Sequence, residues 1–200
     1  MSHESFLDLL FKYSVLEERA DRDALEQEIW TRFGVERTVL VLDMSGFTRL
    51  TAKHGVIHYL AMIRRMQLTA QPIVESFQGK IVKFQADNVY AVFAEPLLAV
   101  NACISMIHAF RSTNMLTVDD QDIFISCGID HGRILLIEDR DFFGSAVNHA
   151  SKLGEDLARK DEILVTGSAW SLIPRAAGLQ GRHEQIEVAG VSLKLIRVIV

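Results

Sequence analysis

The fold is decided by two stretches of the sequence, RTVLVLD at residues 37–43 and KIVKFQADNVYAVF at residues 80–93. The first contains a continuous run of β-branched and aliphatic residues at 38–42, which predicts a strand that is buried on both faces. The second predicts two strands joined by a tight turn at residues 86–87. The long connection between the two stretches is typical of a crossover helix between parallel strands.

Apolar periodicity and turn residues predict the surrounding elements. In chain order they are a strand at 38–42, a helix at about 47–77, strands at 80–85 and 88–93, a helix at 95–111, a strand pair at 123–137, a helix at 144–159, a strand at 162–166 and a hairpin near 186–200. We expect Gly55 and Pro72 to break or kink the first helix, and the strand pair to turn at His131 and Gly132. The order is β-α-β-β-α-β, which predicts an α+β, ferredoxin-like antiparallel sheet with helices on its faces.

Two aspartates are expected to meet at one edge of this sheet. In the predicted order, the end of the first strand and the turn between the second and third strands share an edge, and these places hold Asp43 and Asp87. Carboxylates at close range repel each other unless a cation lies between them. Ligand sets made of oxygen alone favour Mg²⁺ or Mn²⁺ over zinc. The pair predicts a divalent-cation site, although each aspartate alone would suit an ordinary cap or turn position.

The turn after Asp43 is expected to bind phosphate. Residues 45–48 read SGFT, so Gly46, Phe47 and Thr48 open the following helix. Free backbone N–H groups at such a helix start form an anion site. The stretch therefore predicts a contact with a polyphosphate.

Residues 1–34 are predicted to form a helical extension that precedes a main domain at 35–200. Apolar residues recur at helical spacing within residues 5–33, interrupted by a charged break at 17–23, and Gly34 suits a C-cap. Two amphipathic helices of this size cannot fold alone. They are expected to pack on the main domain, on a twin chain or on an upstream partner.

The composition excludes several classes of function. The 200 residues are 49% hydrophobic and carry a net charge of −5, which argues against nucleic-acid binding. An RNA-recognition domain shares the strand order, but its aromatic motif and basic surface are missing. No apolar run suits a membrane span and the N-terminus lacks a basic signal-peptide region, so we expect a cytoplasmic protein. Cys103 and Cys127 lie in apolar runs without CxxC spacing, which predicts two buried thiols.

Three motifs identify a family resemblance. The stretch VLVLDMSGFT at residues 39–48 resembles the opening motif of class III nucleotidyl cyclases. The stretch KFQAD at 83–87 resembles their Lys-x-x-Gly-Asp hairpin, and DFFGSAVNHASK at 141–152 resembles their Asp-x-x-Gly-x-x-Val-Asn-x-Ala-Ser-Arg segment. The resemblance covers residues 37–200, with the motifs in the family's order and spacing.

The resemblance implies a metal site and a nucleotide substrate. Asp43 and Asp87 match the metal-binding aspartates, with the Met44 carbonyl as an extra ligand, and two Mg²⁺ or Mn²⁺ ions are implied. Lys83 and Asp141 match the pair that reads the purine. A lysine can donate to N1 of adenine and an aspartate can accept from its N6 amino group, so this pair implies ATP.

The resemblance also implies the groups that act in the transition state. Asn148 matches the asparagine that orients the ribose, and Lys152 takes the place of the arginine that stabilises the pentavalent phosphorus. Residues 148 and 152 are one helical turn apart, so both side chains are expected to point the same way. In this family each site lies across a homodimer interface.

Four departures from the family pattern are present. Ala86 replaces a glycine, and its Cβ would strain a turn that requires a positive φ. Lys152 keeps the charge of arginine but loses the bidentate fork, which predicts weaker catalysis. The turn at 188–192 lacks the family's phosphate-binding lysine, and Lys194 is placed within a strand. The loop at 132–141 is short, which is expected to trim the dimerisation arm.

Two functions remain open from the sequence. The first is an adenylate cyclase that acts as a homodimer and converts ATP to 3′,5′-cyclic AMP and pyrophosphate in intracellular signalling. The second is a catalytically weakened or inactive cyclase-like module that binds nucleotide or only dimerises. Under either function, the helices at 5–33 are expected to dimerise or to contact a regulatory partner.

Overall fold

The computed structural model describes residues 3–45, 54–188 and 191–200, apart from the side chains of Val188 and Val191. The helices are α1 (His3–Val15), α2 (Arg19–Phe33), α3 (Val56–Ser76), α4 (Pro96–Asn114), α5 (Ser145–Ser151) and α6 (Gly167–Ser171), and a π-helical turn (Lys152–Leu157) continues α5. The strands are β1 (Gly34–Met44), β2 (Lys80–Gln85), β3 (Asn88–Phe93), β4 (Ile125–Ile137), β5 (Asp141–Phe143), β6 (Ile163–Thr166), β7 (Gly181–Val188) and β8 (Val191–Val198). Short 3₁₀ turns lie at Asp119–Gln121 and Arg175–Ala177.

The strands form one sheet in the order β2-β3-β1-β4-β6-β8-β7, with β5 paired to β4. The first four strands have the order expected of a β-α-β-β-α-β unit, and all of their pairings are antiparallel. The ferredoxin-like core is therefore confirmed. One pairing departs from a purely antiparallel sheet, because β6 lies parallel to β4.

The two faces of the sheet are covered differently. Alternate residues of β1, including Leu40 and Leu42, face α3 and α4 in the largest apolar cluster of the protein. Val39 and Val41 face the other way, against α5 and Phe142 of β5. Cys103 and Cys127 are buried free thiols, as expected. Within the described ranges, no helix is long and apolar enough to cross a membrane.

The strand pair expected at 123–137 is wrong. Residues Ile125–Ile137 form one continuous strand, and His131 and Gly132 lie inside it, opposite Thr38 and Arg37 of β1. All eleven residues of β1 pair with β4, so the ladder holds the glycine in an extended strand. The chain reverses instead after Ile137, and the next residues return as β5.

Two helix predictions also need correction. Residues 46–53 lie outside the described part. The break expected at Gly55 is confirmed, because Gly55 has a φ of +83° and helix α3 begins after it, at Val56. The helix then runs unbroken through Pro72 to Ser76. Pro72 and Leu68 are both exposed, so the Leu68 carbonyl that loses its partner can bond to water. The helix expected at 144–159 is α5 followed by the π-helical turn that ends at Leu157.

The N-terminal helices pack on the main domain. Phe6 of α1 is buried with Leu25, Ile29 and Phe33 of α2 and with Ile137 at the end of β4. The Phe6 ring stacks on Phe143 of β5 at a centroid distance of 5.9 Å. The sequence left three surfaces open for these helices, and the structure shows them on the main domain. Gly34 follows α2 with extended backbone and begins β1.

The turn between β2 and β3 is strained at Ala86. Its φ is +51°, in the left-handed region that favours glycine. We expect Ala86→Gly to raise the free energy of unfolding by about 1 kcal/mol, because glycine adopts this φ without a steric cost. Urea unfolding measures the change, with Ala86→Val as a control that should lower stability. Equal stability of the glycine variant and the wild type would contradict a strained turn.

Candidate active site

The two aspartates predicted to bind metal lie at the same sheet edge. Asp43, near the end of β1, pairs with Asn88 of β3, and Asp87 immediately precedes Asn88 in the turn. Burial and the negative charges of Asp87 and Glu155 together raise the pKa of Asp43 to about 7. The edge therefore brings together acidic groups whose charges oppose the ionisation of Asp43.

The groups at this edge suit a hard divalent cation. The Oδ1 atom of Asn88 is buried and, within the described ranges, accepts no hydrogen bond. In the same ranges, no set of three or more His, Cys, Asp or Glu side chains could hold a metal ion. Mg²⁺ is commonly bound by one or two carboxylates together with water and substrate phosphates. Asp43 and Asp87 fit that arrangement, in which water and substrate complete the coordination.

The raised pKa of Asp43 predicts a pH dependence of stability. Without divalent ions, the folded protein keeps the Asp43 proton up to about pH 7, whereas the unfolded chain loses it near its ordinary pKa of 3.8. The contribution of Asp43 to the free energy of unfolding should therefore fall as pH rises between these values. Urea unfolding in a chelator at about pH 5 and about pH 8 should show a smaller fall for Asp43→Asn than for wild type. The control variant Asp23→Asn, at an exposed site, should show the same fall in the free energy of unfolding as wild type. A fall of wild-type size in Asp43→Asn would contradict the raised pKa of Asp43.

Lys83 and Asp141 form an ion pair. The Lys83 Nζ atom lies 2.8 Å from Asp141 Oδ1. A bulge between Ile81 and Lys83 shifts the register of β2, so Lys83 lies directly opposite Tyr90 of β3. The ammonium group is 5.3 Å from the centre of the Tyr90 ring and 5.9 Å from that of Phe142. The predicted base-reading pair is thus assembled within one chain, beside two aromatic rings that contact each other.

Burial of Phe142 explains how Asp141 reaches Lys83. In the hydrogen-bonding order, β5 and β2 lie on opposite sides of β1 and β3. Phe142 is buried against Val41 and Tyr90 on the sheet face, so the β4–β5 hairpin folds across that face toward β2. A second ion pair joins Lys80 of β2 to Asp139 in the turn before β5. The hairpin between β4 and β5 therefore brings Asp141 to Lys83.

Asn148 and Lys152 lie one helical turn apart, as expected. The backbone N–H of Lys152 donates to the Asn148 carbonyl. Asn148 is exposed on α5. The Lys152 ammonium binds Asp156 at 2.6 Å, four residues further along. The charge on Lys152 is thus already partnered in the single chain.

Two glycines set the position of this helix on the sheet. A Cβ on Gly128 of β4 would lie 2.1 Å from the Ala150 carbonyl oxygen and 2.3 Å from the Gly154 nitrogen. A Cβ on Gly154 would lie 2.6 Å from the Val41 carbonyl oxygen. The helix that holds Asn148 and Lys152 therefore rests on the strands backbone to backbone.

Gly128→Ala should destabilise the protein by about 2–3 kcal/mol, because the clashing atoms belong to backbone and cannot rotate away. Gly132→Ala is a matched control on the same strand, since its Cβ would meet only the Ala146 methyl group at 3.6 Å. Urea unfolding of the two variants checks the expectation. Equal losses of stability would show that the close approach is not what fixes the helix.

The structure does not test the predicted roles of several site residues. Gly46, Phe47 and Thr48 lie outside the described residues, as do positions 189–190 in the turn that lacks a lysine. The Met44 side chain is buried in the apolar cluster under α3, which leaves only its backbone for a ligand role. Lys194 lies within β8, opposite Gln185, as expected.

Sequence reasoning missed two sets of polar contacts. The Tyr90 hydroxyl donates to Glu155 Oε1 at 3.0 Å, across 65 positions of sequence. The buried carboxylate of Asp130 contacts His149 Nδ1 at 2.8 Å and also accepts from the Thr166 hydroxyl. Glu155 follows Lys152 by three residues, a helical spacing that could have indicated that Glu155 lies near the site. No local sequence pattern marks Tyr90 or Asp130.

Comparisons with known proteins agree with the fold. A putative adenylate cyclase 3 of Rhizobium meliloti (strain 1021) is 27% identical over 115 residues, which are 58% of this chain and 19% of that protein. The chain thus spans about one fifth of the relative's length. The catalytic core of a rhodopsin-guanylyl cyclase with converted specificity, solved with ATPalphaS, superposes with a TM-score of 0.72 at 19% identity, covering 83% of this chain and 98% of that one.

A further solved structure is similar. The adenylyl cyclase CyaB from P. aeruginosa has a TM-score of 0.71 at 22% identity, covering 84% of this chain and 96% of that one. Both structures support the fold. The sequence model of the Adenylate and Guanylate cyclase catalytic domain matches residues 35–198, and the chain therefore belongs to this family of class III nucleotidyl cyclase domains.

Proposed function

We propose that this protein is an adenylate cyclase, which converts ATP to 3′,5′-cyclic AMP and pyrophosphate. The observation that carries the proposal is the Lys83–Asp141 ion pair, held at 2.8 Å beside the rings of Tyr90 and Phe142. It places a donor and an acceptor side by side, flanked by apolar surface. A donor and an acceptor placed side by side in this way suit the edge of a purine base.

The choice of adenine follows from the order of donors and acceptors on the base. Adenine carries a donor at position 6 and an acceptor at N1, whereas guanine carries an acceptor at position 6 and a donor at N1. With Asp141 facing position 6 and Lys83 facing N1, adenine is satisfied and guanine is opposed at both positions. A buried polar mismatch costs about 1–3 kcal/mol, so this pair can discriminate strongly.

In the proposed reaction the ATP 3′-hydroxyl loses its proton to water and its oxygen attacks the α-phosphorus. The bond from that phosphorus to the oxygen between the α- and β-phosphates breaks, and pyrophosphate leaves with that oxygen. Asp43 and Asp87 would hold two Mg²⁺ or Mn²⁺ ions, with the Met44 carbonyl as a further oxygen ligand. Divalent ions supply activation of the hydroxyl and charge neutralisation of the phosphates. Asn148 orients the ribose, and Lys152 stabilises the charge on the phosphorus oxygens once the substrate competes with Asp156. We propose from the sequence that the N–H groups of Gly46, Phe47 and Thr48 would contact the polyphosphate.

We further propose that the active form is a homodimer. One protomer supplies Asp43 and Asp87 to each site, and its partner supplies the base-reading pair, Asn148 and Lys152. The exposure of Asn148 supports this division, because its side chain is available to a second chain. The N-terminal helices α1 and α2 are proposed to receive a regulatory partner.

A product assay tests the proposal. Purified protein with Mn²⁺ is given ATP or GTP in separate reactions, and cyclic nucleotides are separated by chromatography. We expect cyclic AMP, with at least about tenfold preference for ATP over GTP. Cyclic GMP formed from GTP in excess over cyclic AMP formed from ATP would overturn the assignment of Lys83 and Asp141.

The second candidate function is a nucleotide-binding module without turnover. The ion pair between Lys152 and Asp156 favours it, because it engages the charge that the transition state would need. Binding of ATP, measured by calorimetry, together with no cyclic nucleotide in the product assay would support this alternative over the enzyme.

A further inference from the structure

Tyr90 contacts both parts of the proposed site. Its ring lies opposite Lys83, 5.3 Å from the ammonium, and meets the Phe142 ring edge-on at 6.0 Å. Its hydroxyl donates to Glu155, which follows Lys152 by three residues in the π-helical turn. One buried side chain on β3 therefore joins the base-reading pair to the helix of Asn148 and Lys152.

The ring limits where the Lys83 ammonium can go. Lysine has a flexible stem, and Asp141 Oδ1 already accepts from both Lys83 Nζ and the Phe142 N–H. Within the described ranges, Asp141 Oδ2 accepts no hydrogen bond, so it is available to a base. When that base binds, the faces of the Tyr90 and Phe142 rings keep the ammonium in place through cation–π attraction.

The hydroxyl fixes a different element. Glu155 is exposed, and its carboxylate would otherwise move freely in solvent. Burial and the adjacent Glu155 charge raise the pKa of Tyr90, so the phenol remains a donor at neutral pH. A hydrogen bond to a charged acceptor is among the stronger ones in proteins. It ties the π-helical turn, and with it Lys152, to strand β3.

We propose that Tyr90 is a positioning residue that determines purine specificity through its ring and turnover through its hydroxyl bond to Glu155. The inference rests on the proposed cyclase function, since it assigns the residue that aligns the base-reading pair with Asn148 and Lys152. Two substitutions separate the two contacts. Tyr90→Phe keeps the ring and removes the donor, and Tyr90→Leu removes both.

Steady-state kinetics with ATP and GTP give the first test. For Tyr90→Phe we expect kcat to fall about tenfold, as for loss of a bond to a charged group, while KM for ATP stays near wild type. For Tyr90→Leu we expect KM for ATP to rise about tenfold as well, with a matching fall in preference over GTP. Glu155→Gln keeps an acceptor and should retain more turnover than Glu155→Ala. Tyr13→Phe on α1 is the matched control, which should leave both constants unchanged.

Binding of 3′-deoxy-ATP and 3′-deoxy-GTP, measured by calorimetry, gives the second test. These probes lack the attacking hydroxyl, so binding is read without turnover. If wild type makes no cyclic nucleotide, the proposed function fails, yet weaker 3′-deoxy-ATP binding by Tyr90→Leu alone still supports the role of the ring. Equal binding and equal kinetics in all Tyr90 variants would overturn the inference while leaving the cyclase function intact. A fall in kcat with a matching rise in KM for Tyr90→Phe would mean a merely structural role and would overturn the inference. Failure of the wild-type protein to bind either probe would overturn both proposals.

Discussion

Asp43→Asn is expected to abolish cyclic nucleotide formation and at the same time to stabilise the ion-free protein above pH 7. Activity should fall at least about 100-fold, because even the outer partners of metal ligands contribute 10–100-fold. Stability should rise because asparagine carries no charge at an edge where burial, and then the charges of Asp87 and Glu155, oppose ionisation of Asp43. Asp87→Asn should lose activity in the same way.

The opposite signs of the two effects make the experiment informative. Turnover with ATP and Mn²⁺, direct Mn²⁺ binding and urea unfolding are measured on the same preparation. A misfolded variant would lose activity and stability together, whereas a missing ligand costs activity and ion binding only. The control variant Asp23→Asn, at an exposed site, should keep wild-type turnover and wild-type Mn²⁺ binding. Full turnover in Asp43→Asn would show that the carboxylate does not hold a catalytic ion.

Mixing two inactive variants should restore activity if each site is shared between protomers. Asp43→Asn and Asn148→Ala homodimers each lose a needed group in both sites. In a heterodimer, one site collects both substitutions and the other collects neither. Random exchange makes half of the dimers heterodimers, and each heterodimer has one intact site of two. About a quarter of wild-type activity should therefore return.

The control for this experiment is a pair of variants from one half of the site. Asp43→Asn mixed with Asp87→Asn should stay inactive, because both substitutions fall on groups supplied by the same protomer. Exchange of subunits is confirmed with labelled chains. No recovery in the first mixture despite exchange would mean that each site is built within one chain.

The edge that holds Asp43 and Asp87 was predictable because strand order alone determines it. A β-α-β-β-α-β chain has few ways to arrange its strands, and the observed pairing of Asp43 with Asn88 follows from that order. The strained turn at Ala86 was predictable for a similar reason, since a two-residue hairpin turn demands a positive φ. Strand order was sufficient for the first prediction and turn geometry for the second.

The position of Asp141 was predictable only from the family resemblance. His131 and Gly132 look locally like a turn, and the full-length ladder between β1 and β4 overrides that preference. The approach of Asp141 to Lys83 then depends on where Phe142 is buried, which is a property of the assembled sheet face. Tyr90 and Glu155 meet for the same reason, so sequence periodicity could not reveal their hydrogen bond.

The pairing of β1 with β4 also has a consequence for how the chain is made. Residues 34–44 find their second neighbour only in residues 125–135, so this edge of β1 stays open while some eighty intervening residues leave the ribosome. Contacts so distant in sequence form slowly, and an apolar strand with an unpaired edge can recruit other chains. A nascent chain that stops short of β4 therefore leaves one edge of β1 unpaired beside its apolar residues 38–42, and binding of a chaperone at this stage would keep that edge from other chains.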